Sequence, residues 1–93
     1  MIEKQIDQKL AKEVKAAGGL ALKFISPGFD GVPDRLLLLP NGRMAFTEVK
    51  APGLKPRPLQ IQRHGMFRRL GFKVYVIDDI MQIGGMIDEI RST

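Results

Sequence analysis

The stretch "GVPDRLLLLPNGRMAFTEVKAPG", residues Gly31 to Gly53, places charged side chains where two buried strands would be apolar. Two apolar runs flank a central "NG" pair, which is typical of the turn of a β-hairpin. Asp34 opens the first run, and Glu48 and Lys50 interrupt the second. Residues two apart in a strand share a face, so Glu48 and Lys50 point the same way. Burying such a pair costs free energy unless other groups compensate, so these charges need a reason beyond folding.

Asp34 and Glu48 are candidate ligands for a divalent metal ion. Two carboxylates supply the oxygen ligands that Mg²⁺ prefers. The Lys50 side chain can then orient or deprotonate a water molecule that attacks phosphorus, or stabilise the charge that develops there. A simple salt bridge between Glu48 and Lys50 is the alternative.

The length of the hairpin loop decides whether Asp34 and Glu48 can meet. A strict two-residue turn would pair Leu39 with Met44 and Asp34 with Val49, and Asp34 would then face away from Glu48. A common site requires a loop of odd length or a bulge, or else an Asp34 that lies just outside the ladder and bends in.

Working outward from the hairpin, the pattern predicts three helices and four strands in the order α-β-β-β-α-β-α. The predicted elements are a helix over 2–17, strands over 20–26, 34–39 and 44–49, a helix over 59–70, a strand over 72–77 and a helix that begins after Asp78 or Asp79. A meander followed by a crossover helix favours an α/β fold with a mixed central sheet flanked by helices.

Length and composition exclude several classes of protein. The chain has 93 residues, which suit one domain (1–93) with a modest core. Its hydrophobic fraction of 44% argues against disorder, and the lack of cysteine excludes disulfides and thiolate metal sites. No apolar run approaches the roughly 20 residues that span a bilayer, and the N-terminal "MIEKQIDQKL" is not a signal peptide. We therefore expect a cytoplasmic protein with no membrane partner.

The net charge of +5 is unevenly distributed along the chain. The segment from Val49 to Ile77 has no acidic residue. Its cations are Lys50, Lys55, Arg57, Arg63, Arg68, Arg69 and Lys73. A clustered basic surface is what binding to a polyanion requires, although a solvated helix face is the alternative.

Two parts of the motif carry a family resemblance. "PD" at 33–34 followed by "EVK" at 48–50 resembles the PD-(D/E)xK nuclease signature, and the αβββαβ order is similar to the restriction-endonuclease-like core of that superfamily. The longer stretch "GVPDRLLLLPNGRMAFTEVKAPG…LQ" is similar to the VRR-NUC (virus-type replication-repair nuclease) branch in its stand-alone phage and bacterial form, and the similarity covers nearly the whole chain.

The resemblance implies a role for each residue of the motif. Asp34 and Glu48 would ligate the metal together with the backbone carbonyl of Val49, and Lys50 would position the water. The implied ion is Mg²⁺, for which Mn²⁺ would substitute.

The resemblance completes the catalytic set with Glu3 on the first helix and Gln60 on the second. From the residues alone, Glu13 shares the apolar arc of the first helix with Glu3, and a carboxylate at the rim of the core is the alternative. Gln60 and Gln62 flank the apolar face of the second helix almost symmetrically, and only the resemblance favours Gln60. That apolar face is predicted to be Leu59, Met66, Phe67 and Leu70.

Five basic residues are predicted to contact nucleic acid: Lys23, Lys55, Arg57, Arg63 and Arg68. For Lys23, a plain surface lysine is the alternative. His64 is the only histidine, which excludes two-histidine nucleases, and we expect it on the surface. Tyr75 lies in an alternating strand and is expected in the core.

The predicted function is that of a Mg²⁺-dependent DNA endonuclease in replication, recombination or repair, inside a bacterial host or a phage-infected cell, with no small-molecule substrate. The resemblance favours branched DNA such as four-way (Holliday) junctions. A non-cleaving DNA-binding module or protein cofactor with the same fold is the alternative, and a scaffold that binds no metal is a third reading. Since a four-way junction has two-fold symmetry, we also expect a homodimer. Its interface is expected near Gly84-Gly85, with apolar area from Ile80, Ile83 and Ile87.

Overall fold

The computed structural model describes residues 1–92 and has the predicted order of elements. The helices and strands are α1 (Glu3–Ala16), β1 (Leu20–Lys23), β2 (Arg35–Leu39), β3 (Arg43–Val49), α2 (Pro58–Arg69), β4 (Val74–Ile77) and α3 (Ile83–Arg91). Two short 3₁₀ turns, Pro40–Gly42 and Ile80–Gln82, precede β3 and α3. No helix within residues 1–92 is long and apolar enough to cross a membrane.

The four strands form one mixed sheet in the order β1-β2-β3-β4. The first three strands are an antiparallel meander, and β4 returns parallel to β3 after the α2 crossover. Helices α1 and α3 cover one face of this sheet, and α2 lies on the other. The predicted α/β class with a mixed sheet between helices is therefore confirmed.

The hairpin loop between β2 and β3 has three residues, Pro40–Gly42, so its length is odd. Asn41 and Gly42 both adopt left-handed backbone conformations, with φ of 67° and 72°, which their residue types tolerate. Leu39 consequently pairs with Arg43, and Arg35 pairs with Thr47. Continuing this register by one residue sets Asp34 opposite Glu48, on the same face of the sheet.

The main hydrophobic core lies on the face covered by α1 and α3. Its α1 residues, Ile6, Leu10 and Val14, recur every fourth position and are fully buried. Strand residues that alternate along β2 and β3, such as Leu37 and Ala45, meet them from the sheet. Tyr75 packs against the edge of this core, as predicted, and its hydroxyl donates to Glu89 Oε1 at 2.7 Å.

On the face covered by α2, a smaller aromatic cluster replaces the aliphatic core. Phe46 lies at its centre, with ring centroids of Phe67, Phe24 and Phe72 at 4.9, 5.4 and 6.0 Å. The offset and edge-to-face arrangements are those that aromatic rings prefer. This cluster occupies only part of the face, and the polar residues described below fill the end next to it.

The predicted apolar face of α2 is confirmed for Phe67, which packs against Phe46, and is wrong for its two leucines. Leu59 and Leu70 are 41% and 75% exposed, whereas Gln60 and His64 are buried. The two polar residues are four apart and therefore share a face of the helix. That face turns toward the sheet because Glu48 offers a partner for polar groups there, and the leucines are left outside.

The apolar area expected for a dimer interface on α3 is also not available. Ile83 and Ile87 are 0% and 5% exposed, because they belong to the core of the chain itself. Gly84 and Gly85 lie on the exposed side of α3, with open space where the Cβ of a larger residue would project.

Candidate active site

The catalytic residues predicted from the sequence converge at one end of the sheet, where several elements begin or end. Asp34 lies immediately before β2, and Glu48 and Lys50 lie at the end of β3. Glu3 is the first residue of α1, and Gln60 lies in the first turn of α2. The antiparallel pairing of β2 and β3 brings the start of one strand to the end of the other, which is why distant residues meet here.

Glu48 is the central side chain of this site and is 1% exposed. Its Oε2 atom lies 3.3 Å from Lys50 Nζ and accepts a hydrogen bond of 3.1 Å from Gln60 Nε2. Gln60 is itself oriented by its own helix, because its Oε1 accepts from the Arg57 backbone N–H at 2.9 Å. The first turn of α2 therefore fixes a donor aimed at Glu48.

The electrostatic environment raises the pKa of Glu48 to about 7. Burial is the main cause, and the neighbouring Asp34 carboxylate adds to it. The Lys50 ammonium acts in the opposite direction and lowers the pKa of Glu48. A carboxylate that is costly to ionise in this way is a group that a cation stabilises.

Asp34 is oriented toward the end of β3 by the backbone. Its Oδ2 accepts from the Val49 N–H at 3.1 Å, and its own carbonyl accepts from the Phe24 N–H at 2.8 Å. Asp34 is exposed to solvent, in contrast to Glu48. The pair therefore joins a buried carboxylate to an accessible one.

These donors fit a hard cation that needs few protein ligands. Within residues 1–92, no cluster of three or more His, Cys, Asp or Glu side chains has the geometry of a metal site. Glu48 Oε1 is, however, buried without a hydrogen-bond partner in that range. Mg²⁺ usually keeps several waters and takes only one or two carboxylates, so Asp34, Glu48 and the Val49 carbonyl would suffice.

A cleft of about 400 Å³ opens beside Asp34. Its lining includes Glu3, Lys23, Asp34 and Val49. Glu13, the other carboxylate in the apolar arc of α1, lines a separate cavity with residues of α3. The structure thus places Glu3, and not Glu13, beside the candidate metal ligands.

An ion pair that the sequence patterns do not predict holds α1 against the sheet at this cleft. Arg35 Nε and Nη2 donate to the two carboxylate oxygens of Asp7 at 2.9 and 2.6 Å, and Nη1 donates to the Ala21 carbonyl at 3.0 Å. The hydrogen bonds to Asp7 are the main reason that the pKa of Arg35 is raised. Glu3 lies one turn before Asp7 on the same helix. The two-pronged ion pair between Arg35 and Asp7, called the fork below, therefore also holds Glu3 over the cleft.

The expectation that His64 lies on the surface is wrong. The imidazole is buried at 1% exposure, with Nε2 3.6 Å from Glu48 Oε1. Burial lowers the pKa of His64, and the charge of Arg68 contributes to the shift. The four-residue spacing from Gln60 is the signal in the sequence, because it puts both side chains on the same face of α2.

The five predicted DNA-contacting residues divide into two groups. Lys23, Lys55 and Arg57 are exposed, and Lys23 lines the cleft. Arg63 donates to the Asp30 carbonyl at 2.9 Å and lies 4.0 Å over the Phe29 ring, so it holds the loop before β2. Arg68 Nη2 donates to the Val74 carbonyl at 2.7 Å. These last two side chains have structural partners as well as charge.

The sheet order and the positions of Asp34, Glu48 and Lys50 agree with the resemblance to the PD-(D/E)xK nucleases. No family model matches the sequence. A curated relative, "Putative nuclease p44" of Acyrthosiphon pisum secondary endosymbiont phage 1, is 51% identical over 76 residues, which are 82% of this chain and 82% of the relative. A solved structure described as a VRR_NUC domain superposes with a TM-score of 0.86 at 33% identity, and the match covers 92% of this chain and 94% of that one. The chain belongs to the VRR-NUC family of nucleases.

Proposed function

We propose that the protein is a Mg²⁺-dependent endonuclease that hydrolyses phosphodiester bonds in DNA. The observation that carries the proposal is the buried Glu48 carboxylate, which lies beside Asp34 and presents one oxygen without a hydrogen-bond partner in residues 1–92. A buried carboxylate with a raised pKa weakens the fold of the metal-free protein. It is therefore better explained by a cation that binds there than by stability.

In the proposed mechanism, Asp34, Glu48 and the Val49 carbonyl would hold the ion. When bound, Mg²⁺ polarises a phosphoryl oxygen and makes a bound water more acidic. Lys50 lies 3.3 Å from Glu48 Oε2, at the rim of the site, where its ammonium can orient the attacking water and stabilise negative charge on the phosphate. Gln60 keeps Glu48 in place, and Glu3 faces the cleft from α1.

The exposed cations Lys23, Lys55 and Arg57 are proposed to bind the DNA backbone. Lys23 lies in the cleft, and Lys55 and Arg57 lie in the segment that connects β3 to α2. Arg63 and Arg68 add positive charge on α2 while they hold other parts of the chain. Contacts to phosphate fix the orientation of the duplex without reading its sequence.

Branched DNA, and four-way junctions in particular, is the proposed preferred substrate. One chain carries one pair of candidate ligands, so one chain cuts one strand at a time. Resolution of a four-way junction requires paired incisions on two equivalent strands. A two-fold homodimer presents two identical sites for this purpose, and it is the proposed working unit in the cytoplasm of a bacterial or phage-infected cell.

Cleavage of a panel of labelled substrates tests the proposal. The panel contains duplex, flap, splayed and four-way DNA, each incubated with Mg²⁺, with Mn²⁺ and with EDTA. We expect cuts only with a divalent ion, and the fastest cuts on the four-way junction. DNA binding without cleavage under every metal condition would instead support a non-cleaving module with the same fold.

Light scattering at micromolar concentration, without DNA, tests the homodimer separately. The proposal predicts about twice the chain mass of 10.4 kDa. A mass near that of one chain across the range would contradict the dimer and favour nicking of single strands.

A further inference from the structure

The buried imidazole of His64 has no part in the mechanism above, although it lies against the central carboxylate. Its Nε2 atom is 3.6 Å from Glu48 Oε1. Among residues 1–92, both of these atoms are buried without a hydrogen-bond partner. Buried polar atoms without a hydrogen-bond partner are rare in native proteins, so two of them that face each other require an explanation.

The chemistry of the two atoms limits how they can face each other. A lone pair of Nε2 against a carboxylate oxygen would be repulsive, so the hydrogen of the imidazole belongs on Nε2. In the tautomer with its hydrogen on Nε2, that nitrogen is a donor and Nδ1 is an acceptor. The distance of 3.6 Å is longer than the usual 2.7–3.2 Å of an N–H···O bond, but such bonds at active sites are often long before the ligand binds.

The donors around Glu48 are unequally distributed over its two oxygens. Oε2 is held by Lys50 and Gln60, whereas His64 is the neighbouring donor at Oε1. With donors on one oxygen only, the carboxylate can still turn about the bond that carries it. A donor at the second oxygen fixes its plane, and Oε1 still keeps one lone pair for a metal ion.

We propose that His64 is a positioning residue, whose Nε2–H donates to Glu48 Oε1 and fixes the orientation in which Glu48 holds the metal ion. The inference rests on the proposed function for its metal ion, but the hydrogen bond itself is a property of the metal-free chain. Partners that orient a ligand in this way typically contribute about 10–100-fold to metal affinity or activity.

The first test is the tautomer of the imidazole, read from long-range ¹H–¹⁵N NMR spectra of the wild-type protein in EDTA. The chain has one histidine, so the assignment is unambiguous. We expect hydrogen on Nε2 and an unprotonated Nδ1. Hydrogen on Nδ1 instead would overturn the inference, since Nε2 could not then donate to Glu48.

The second test compares substitutions by calorimetric titration with Mn²⁺ and by the metal dependence of cleavage. H64M removes the donor and should raise the Kd for Mn²⁺ by about 10–100-fold, whereas H64Q, which keeps an N–H, should recover most of the affinity. Q62M changes an exposed residue on the same helix and should bind as the wild type does.

Thermal unfolding in EDTA shows whether each variant is folded before it is titrated. If H64M is unfolded, two tests of the hydrogen bond remain. They are the Mn²⁺ affinity of H64Q relative to the wild type, and the tautomer of the wild-type imidazole. Wild-type Mn²⁺ affinity and cleavage in folded H64M, or an equal loss in H64Q and H64M, would overturn the role of the donor. A wild-type protein that binds no Mn²⁺ would overturn the proposed function, and the tautomer would still report separately on the hydrogen bond.

Discussion

The two faces of the sheet differ in what they bury. On the face covered by α1 and α3, the core is aliphatic, and the buried Thr47 donates to Met86 Sδ at 3.7 Å. On the face covered by α2, an aromatic cluster gives way to Glu48, Gln60 and His64, all of them buried. The first face buries mainly apolar side chains, as a core normally does. The second buries a charged and two polar side chains at one end. The difference indicates that one face maintains the fold and the other carries the chemistry.

The largest effect that separates the two faces is expected from Glu48→Gln. Removing the charge from a proposed metal ligand should reduce cleavage on the order of 10³-fold or more, while the protein remains folded. Glu13→Gln is the matched control, because it makes the same chemical change at a cavity away from the site. Gel assays of cleavage and circular dichroism measure both quantities. Substantial activity in Glu48→Gln would contradict the role of this carboxylate.

The opposite result is expected from the aliphatic face. Leu10 is fully buried, so Leu10→Ala should lower the free energy of unfolding by about 2–5 kcal/mol. Leu59→Ala on α2 is the control, since Leu59 is 41% exposed and should cost little. Urea unfolding measures the loss, and cleavage per folded molecule should stay unchanged. A loss of specific activity in Leu10→Ala would mean that the faces are not separable.

The pH dependence of stability should report the cost of the buried carboxylate. Glu48 has a pKa of about 7 in the folded protein against an ordinary 4.5, so the folded state holds this proton more tightly than the unfolded chain does. Its contribution to stability is present below about pH 4.5 and is lost as the pH rises through 7.

The size of this loss is expected to be on the order of 1–3 kcal/mol in the absence of metal. Urea unfolding of the wild type and of Glu48→Gln between pH 5 and about pH 8 measures it, because groups away from Glu48 titrate equally in both proteins. The variant should lack this part of the decline and should be the more stable protein at the upper end. If the stability of the two proteins varied with pH in the same way, burial of Glu48 would not destabilise its charged form.

The smallest effect is expected from the exposed cations beside the site. The double substitution Lys55→Ala and Arg57→Ala should weaken binding to all DNA sequences about equally, and should flatten the salt dependence by roughly one unit of slope for each phosphate that is no longer neutralised. Lys12→Ala with Lys15→Ala removes the same charge from α1 as a control. Fluorescence anisotropy over a range of salt concentrations measures the slope. An effect in the control pair alone would place the DNA on α1.

The periodic parts of the sequence predict the fold well, because local patterns follow the burial of each element. The four-residue spacing of Ile6, Leu10 and Val14 in α1 is such a pattern. The face of α2 could not be predicted in this way. The side of α2 that is buried depends on Glu48, a partner distant in the chain. A pattern of apolar residues contains no information about such a polar contact.

The hairpin shows a second limit of the sequence. The "NG" pair predicts a turn, but the loop also includes Pro40, and this one residue determines whether Asp34 faces Glu48. The fork between Arg35 and Asp7 escapes prediction for a similar reason, because it joins residues 28 positions apart. Side chains that meet only through tertiary structure leave no periodic signal.

Calorimetric titration of the metal-free protein with Mn²⁺ tests the central claim most directly, namely that the buried charge at the end of β3 exists to hold a divalent ion. We predict that the wild type and Glu13→Gln bind Mn²⁺ alike, and that Glu48→Gln shows no measurable binding under the same conditions. Equal binding by the wild type and Glu48→Gln, or no binding by the wild type, would contradict this claim.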